Sequence, residues 1–324
     1  MKKYPWVGIL LVGGIFVFEG FSPPTAEAVW IWTPQSRRWV NPKYAAKDTP
    51  GAQMDWAVGF FEARDYPRAV KEFLRLVKTY PRSELAPEAQ YLAGVSYELM
   101  DRLAEAFGAY KKLVEIYPFS ARFKDAIERE FAIGESFFSG KRLRLIGPVS
   151  FPALDKAIEV YQHIVDQAPY GDYGSKAQFR LGECYRKEKR FEEASRAFQK
   201  VLDEYPSSPS AEQAKYNVAF CAYQMSLRPS YDQSATDEAI TWFESFIASH
   251  PESTLVPEAK ESLAHLREFK AQGLSQIARF YEIQGKKTSA LLYYQQILSE
   301  YPNSPEAPKA LAKVTELERS EAGK

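Results

Sequence analysis

Histidine and cysteine, which often serve in catalytic and metal sites, are few in this sequence and widely spaced. The three histidines are His163, His250 and His265, and none stands at a metal-ligand spacing from another ligand. The only cysteines are Cys184 and Cys221. No phosphate-binding glycine loop, nucleophile elbow or zincin motif occurs. The sequence therefore predicts neither an enzyme nor a cofactor or metal site.

The overall charge is balanced. Lysine plus arginine and aspartate plus glutamate each number 42, so the formal net charge is zero. Phosphate backbones bind surfaces with a surplus of lysine and arginine, so we expect no nucleic-acid partner. With 45% hydrophobic and 26% charged residues, the composition is that of an ordinary globular protein with enough apolar material for a core.

The motif Pro-x-(Ser/Gly)-x5-Ala occurs six times, and an Ala-x3-aromatic pair precedes each copy. The prolines are Pro81, Pro118, Pro169, Pro206, Pro251 and Pro302. The pairs are Ala69/Phe73, Ala106/Tyr110, Ala157/Tyr161, Ala194/Phe198, Ala239/Phe243 and Ala290/Tyr294. Further upstream, three copies have a small residue followed by tyrosine: Gly94/Tyr97, Gly182/Tyr185 and Ala278/Tyr281. These spacings match the tetratricopeptide repeat, a helix pair of about 34 residues.

The spacings also predict how the two helices of each repeat pack. Glycine or alanine on the first helix lets the second approach closely, and the aromatic ring fills the space beside it. Proline ends the second helix because it cannot continue the hydrogen-bond ladder. Cys184 and Cys221 fall at equivalent positions of consecutive first helices, about 8–10 Å apart, which is too far for a disulfide. We expect both to be small core residues.

The predicted fold is all-α, a right-handed superhelical array of about six tetratricopeptide-type helix pairs with a C-terminal capping helix. The repeat domain is predicted over residues 51–324, with inserts at 140–152 and 227–236, where the proline spacing lengthens. No proline lies between Pro257 and Pro302, so residues 258–284 are predicted to form one extended helix. Residues 306–320 are predicted to form the capping helix.

The first 50 residues lack the repeat motif and divide into two segments. Two lysines, an apolar run and Ala26-Glu27-Ala28 predict a cleaved signal peptide over residues 1–28, and the alternative is a retained N-terminal anchor. Residues 29–50 are predicted to form an extended aromatic arm. Its tryptophans, which suit a membrane–water interface, are Trp30, Trp32 and Trp39.

A second stripe on the first helices is expected to line the concave groove of such an array. The residues assigned to it are Met54, Val58, Phe61, Glu88, Tyr91, Val95 and Glu98. This stripe is apolar and aromatic where a solvent-facing surface should be polar, which suits an extended or helical peptide with hydrophobic anchors. The alternative is that the N-terminal arm or a neighbouring helix covers these residues.

The insert at 227–236 also has two interpretations. Ser234 or Thr236 can cap the next helix, with Asp237 and Glu238 well placed against its dipole. The same residues can instead form a contact site for a partner protein.

The repeats taken together with this insert resemble the BamD family, tetratricopeptide proteins of the machinery that inserts β-barrels into the bacterial outer membrane. The most specific part runs from Tyr231 through Asp232-Gln233-x2-Thr236-x2-Ala239 to Phe243. The predicted extended helix and the final Tyr301-Pro302 unit continue the match, which covers roughly residues 50–315.

The resemblance implies a periplasmic scaffold at the inner face of the outer membrane. Its C-terminal repeats are expected to dock on the periplasmic domains of the barrel insertase, and its N-terminal repeats to receive unfolded outer-membrane protein precursors. We assign docking to Asp232, Gln233, Thr236, Arg279 and Glu282, and precursor binding to the apolar stripe. Family members are usually lipid-anchored through a cysteine after the signal, which this sequence lacks, and usually have five repeats.

A second hypothesis uses the same repeats differently. A periplasmic adaptor for cell-envelope or peptidoglycan enzymes is built on the same fold, but more often has a coiled coil before the repeats. No sustained heptad pattern precedes residue 50 here. The sequence therefore favours the assembly scaffold, in peripheral association with the outer membrane.

Overall fold

A computed structural model describes residues 31–33, 38–40, 45–144, 150–152, 154–227 and 234–322. The chain divides into two compact units, Met1–Thr49 and Pro50–Lys324. The predicted signal peptide lies outside the described residues, as do Trp30, Asp232 and Gln233.

The second unit is an array of helices packed against their neighbours in chain order. Its described helices are α1 (Pro50–Glu62), α2 (Tyr66–Thr79), α3 (Leu85–Leu99), α4 (Leu103–Ile116), α5 (Phe123–Phe138), α6 (Leu154–Gln167), α7 (Gly174–Lys187), α8 (Phe191–Glu204), α9 (Ala211–Ser226), α10 (Ser234–Ser249), α11 (Val256–Ile283), α12 (Lys287–Glu300) and α13 (Ala307–Ala322). The helices α1 to α12 form six pairs, and α13 follows the last of them. The predicted all-α superhelical array of tetratricopeptide pairs with a closing helix is confirmed.

The packing of aromatic rings against small residues is as the sequence predicts. A Cβ atom added to Gly94 of α3 would lie 2.4 Å from Cε1 of Tyr110 in α4. The corresponding distance is 2.8 Å between Gly134 and Tyr161, and 2.7 Å between Gly182 and the ring of Phe198. These rings lie where any side chain on the glycine would have to be, so the absence of a Cβ sets the spacing of the pair.

A second internal contact, which the sequence did not reveal, ties the same helix pairs together. The side-chain amides of Gln53, Gln90 and Gln178 are almost fully buried. Each donates a hydrogen bond to a backbone carbonyl 19 residues later, on the second helix of its repeat, at 2.8 to 3.1 Å. A buried amide is costly without a partner, so these bonds fix the register of the two helices.

The extended helix is present and connects two parts of the core. The prediction of one helix over 258–284 is confirmed by α11, which has 28 residues and is about 42 Å long at 1.5 Å per residue. Leu263 and Leu266 in its first half belong to the cluster with α9 and α10. Leu274 and Ala278 in its second half belong to the cluster with α12 and α13. No described helix combines the length and apolar composition that a membrane span requires.

Two short hairpins complete the described structure. Strands β1 (Ile31–Thr33) and β2 (Arg38–Val40) pair antiparallel in the first unit. Strands β3 (Arg142–Arg144) and β4 (Ser150–Pro152) pair antiparallel within the insert between α5 and α6.

Both cysteines are core residues, as predicted. Cys184 and Cys221 are free thiols with no exposed surface. Burial raises the pKa of each thiol to about 12, so neither is a reactive thiolate at neutral pH.

Candidate protein-binding surfaces

The first part of the predicted groove stripe lies on α1. Met54, Val58 and Phe61 are half-buried and pack against the cluster of α1 to α3. The ring of Phe61 lies edge-on to Tyr66 at 5.8 Å and to Phe73 at 6.3 Å between ring centroids. These three side chains are held by the core on one side and keep part of their surface in solvent on the other.

The second part of the stripe, on α3, faces the next repeat. Both carboxylate oxygens of Glu88 accept hydrogen bonds from Arg122, at 2.6 and 2.9 Å. The Arg122 guanidinium also lies 4.8 Å from the centre of the Tyr91 ring, and Tyr91 is only 9% exposed. The spacing predicts Tyr91 as a groove-lining anchor, but the structure places its ring in the core beside Tyr110. Val95 is half-buried against the same cluster.

Glu98 belongs to a contact that recurs along the array. In this contact a tyrosine of the second helix donates its hydroxyl to a glutamate of the first helix, and a basic residue of the helix that follows the pair donates to the same carboxylate. The three examples are Tyr110/Glu98/Arg129, Tyr161/Glu135/Arg180 and Tyr294/Glu282/Lys313. Two residues that we assigned to partner binding therefore make contacts within the chain itself. Glu98 links adjacent repeats, and Glu282 links the last repeat to the closing helix α13.

The electrostatics of these triads follow from their contacts. The hydrogen bond from Lys313 lowers the pKa of Glu282, although burial acts against it. Burial and the bond to Glu98 raise the pKa of Tyr110. In the last triad a charged Glu282 carboxylate thus lies between the neutral Tyr294 phenol, whose pKa burial raises, and the Lys313 cation.

The sequence does carry a signal for this contact. Where the Ala-x3-aromatic ring is Phe73 or Phe198, the position twelve residues earlier is Phe61 or Arg186, and neither can accept a hydroxyl proton. Tyr110 and Tyr294 have a glutamate at that position. The pairing of tyrosine with glutamate at this spacing marks two of the three triads. In the third, Glu135 stands 26 residues before Tyr161, because the insert at 140–152 lies between them.

The predicted docking residues are dispersed in the structure. Thr236, near the start of α10, is 1% exposed and so offers no surface to a partner. Arg279 is exposed and Glu282 is half-buried, both at the end of α11. Asp232 and Gln233 lie outside the described residues.

The end of α11 also exposes apolar side chains that the sequence did not single out. Phe280 is 57% exposed and Ile283 is 87% exposed. They lie three residues apart and so share a helix face with each other. Phe269, about three turns before Phe280 and about four turns before Ile283 on the same helix, is 49% exposed. With Arg279, these residues form a surface that we call the α11 patch.

A third group of exposed rings lies at the turns between repeats. Phe119 and Tyr170 directly follow the closing prolines of the second and third repeats, and they are 100% and 98% exposed. Other repeats have polar residues at this position, among them Arg82 and Ser207.

Within the described part of the chain, no three metal-binding side chains converge.

The fold and these surfaces define a tetratricopeptide-repeat array. Residues 54–121 match the family described as tetratricopeptide repeat. Residues 152–321, more than half of the chain, match the family described as YfiO, outer membrane lipoprotein. The chain belongs to this YfiO family.

Similarity to individual proteins is more distant. The chain is 20% identical over 162 residues to the outer membrane protein assembly factor BamD of Caulobacter vibrioides, a match that covers 50% of this chain and 53% of that protein. The chain thus spans about half the length of the curated relative that it matches.

Among solved structures, the MamA protein is 18% identical, covers 63% of this chain and 92% of its own, and has a TM-score of 0.33. YrrB, a tetratricopeptide protein with an unusual peptide-binding site, is 16% identical, covers 68% of this chain and 94% of its own, and has a TM-score of 0.33.

Proposed function

We propose that this protein is a scaffold that helps to assemble β-barrel proteins into the outer membrane, by docking on the barrel insertase and receiving unfolded precursors. Membership of the YfiO family and the partial similarity to a BamD protein support this role. The same two findings support a location in the periplasm, at the inner face of the outer membrane.

The observation that carries the proposal is the α11 patch. Two large apolar side chains, Phe280 and Ile283, keep most of their surface in water at the end of the overlong helix. Exposed apolar side chains clustered beside a charged residue such as Arg279 are typical of protein-binding sites. The patch lies within the residues that match the family, and we assign docking on the insertase to it.

Precursor binding is assigned to the other end of the array. Met54, Val58 and Phe61 keep part of their surface accessible on α1 while the core holds them in place. Side chains fixed in this way lose little conformational entropy on binding. An extended segment with apolar anchors is the ligand that fits such a stripe.

If the α11 patch docks on the insertase, charged substitutions in the patch should weaken binding of the insertase. In an affinity purification from gently solubilised envelopes, the double variant Phe280→Glu/Ile283→Glu should recover at least about tenfold less insertase than the unmodified chain, because two buried charges disfavour an apolar interface. Co-purifying proteins are identified and quantified by mass spectrometry.

The matched control is Leu292→Glu on α12, an apolar residue that is 63% exposed outside the patch. This control should recover the insertase as the unmodified chain does. Equal recovery by Phe280→Glu/Ile283→Glu would contradict the docking site. Recovery of peptidoglycan enzymes in place of an insertase would instead support the adaptor function.

A further inference from the structure

The hairpin of β1 and β2 presents a pair of tryptophans on one face. Trp32 and Trp39 are direct cross-strand partners, and side chains at directly opposed positions of a ladder project from the same face. Trp32 is 48% exposed and Trp39 is 64% exposed. Ile31, which points to the other face, is also 48% exposed. Much of the apolar surface of this hairpin is therefore left in water.

Such a hairpin is weak without an external partner. Each strand has three residues, and within the described residues the sheet consists of these two strands. An isolated two-stranded hairpin is marginally stable in water, because it buries too little apolar surface to offset the entropy of ordering its backbone. A surface that removes the tryptophan rings from water would stabilise the hairpin.

The charge of the surrounding sequence indicates the chemistry of that surface. Residues 28–47 contain four basic residues and no acidic residue, although the whole chain has equal numbers of each sign. The basic residues are Arg37, Arg38, Lys43 and Lys47. A local excess of positive charge is attracted to anionic lipid headgroups. Tryptophan is the side chain most typical of the boundary between headgroups and acyl chains.

We propose that the β1–β2 hairpin binds the surface of an anionic lipid bilayer, with Trp32 and Trp39 inserted at the headgroup boundary. The excess of positive charge in residues 28–47 supplies the preference for anionic lipid. The hairpin lies on the bilayer and does not cross it. This contact holds the protein at a membrane surface whatever proteins the helical array binds, so its test is separate from the test of the assembly role.

The test is flotation of the full chain with vesicles of phosphatidylcholine and phosphatidylglycerol, compared with vesicles of phosphatidylcholine alone. The chain should float with the anionic vesicles, and its binding should fall as salt is raised. The double variant Trp32→Ala/Trp39→Ala should bind the anionic vesicles about tenfold less tightly or weaker still, because two interfacial rings are removed.

Two controls separate the hairpin from other sources of membrane affinity. Phe119→Ala/Tyr170→Ala removes two fully exposed rings from the helical array and should leave flotation unchanged. Arg37→Gln/Arg38→Gln/Lys43→Gln should weaken binding to the anionic vesicles only.

Three results would overturn the proposal. The first is unchanged flotation of the tryptophan variant, which would assign the affinity to another part of the chain, such as the apolar run at residues 7–18. The second is equal binding to neutral and anionic vesicles. The third is no flotation with either, which would leave a protein as the occupant of the tryptophan face.

Discussion

Replacing Gly94 with alanine is expected to lower the free energy of unfolding by about 2 kcal/mol. An extra methyl group in a close-packed core forces neighbouring side chains out of their preferred rotamers or shifts the backbone. The new Cβ would lie 2.4 Å from Cε1 of Tyr110, 2.7 Å from Cζ and 2.8 Å from Cδ1. The ring cannot easily move aside, since Tyr110 has no exposed surface and its hydroxyl is bonded to Glu98. Urea denaturation followed by helical circular dichroism measures the loss.

The matched control is the same substitution on the adjoining helix. Gly108 lies inside α4 and has no atom within 4 Å of an added Cβ. Alanine there should raise the free energy of unfolding by roughly 0.5–1 kcal/mol, because it reduces the entropy of the unfolded chain. If both variants changed stability by the same amount and in the same direction, helix propensity and not close packing would explain the position of Gly94.

A second large loss of stability is expected when the pair of Glu130 and His163 is broken. Among the described repeats, only this one pairs a buried carboxylate with a histidine. Glu130 of α5 stands four residues before Gly134, as Gln90 stands before Gly94 and Gln178 before Gly182. A carboxylate cannot donate to a backbone carbonyl as these glutamines do. Its Oε2 lies instead 2.8 Å from Nδ1 of His163 on α6.

The surroundings make this pair sensitive to substitution. Glu130 is fully buried and His163 is 6% exposed, and Glu130 Oε1 has no hydrogen-bond partner within the described residues. Lys111 and Glu115 of α4 are the other charged groups that act on the carboxylate, with opposite signs. Removing His163 therefore leaves the carboxylate buried with little compensation.

His163→Leu should lower the free energy of unfolding by about 3 kcal/mol at neutral pH, because breaking one side of a buried pair leaves its partner uncompensated. Glu130→Gln, which restores the residue type of the other repeats, should cost about 1 kcal/mol or less. The double variant Glu130→Gln/His163→Leu should recover part of the loss. Equal losses in His163→Leu and in the double variant would contradict the role of the buried charge.

The same pair predicts the pH dependence of the His163→Leu variant. Burial raises the pKa of the Glu130 carboxyl above its ordinary value of 4.5, and the hydrogen bond from His163 acts in the opposite direction. A raised pKa means that the folded state takes up the proton more readily, so stability falls as the pH rises from 4.5 through the raised pKa. Without His163 the pKa of the Glu130 carboxyl should rise further, so this fall should extend to higher pH and become larger. The difference from the unmodified chain should be smaller near pH 5 than at pH 7.5.

The fold could be predicted from this sequence because its signals are local. Proline ends each second helix, and the absence of proline between Pro257 and Pro302 predicts the long helix α11. The contact of a ring with Gly94 or Gly182 follows from a fixed spacing within one helix pair. Each of these features depends on residues that lie within one repeat.

The surfaces were harder to predict because they depend on contacts between repeats. Tyr91 matches a groove position by its spacing, but Arg122 of the following repeat covers its ring. The α11 patch, formed by Phe280 and Ile283, is exposed because the described neighbouring helices leave that face of α11 open. Sequence periodicity gives the face on which a residue lies, and it does not reveal whether another repeat covers that face.

In the proposed function, the two ends of the array bind different components of outer-membrane protein assembly. A photo-crosslinking amino acid placed at Ile283, in living cells of the source bacterium, should trap the barrel insertase. The same group placed at Met54 should trap unfolded outer-membrane precursors. Products containing peptidoglycan enzymes from both positions, with neither insertase nor precursor, would contradict the proposed function.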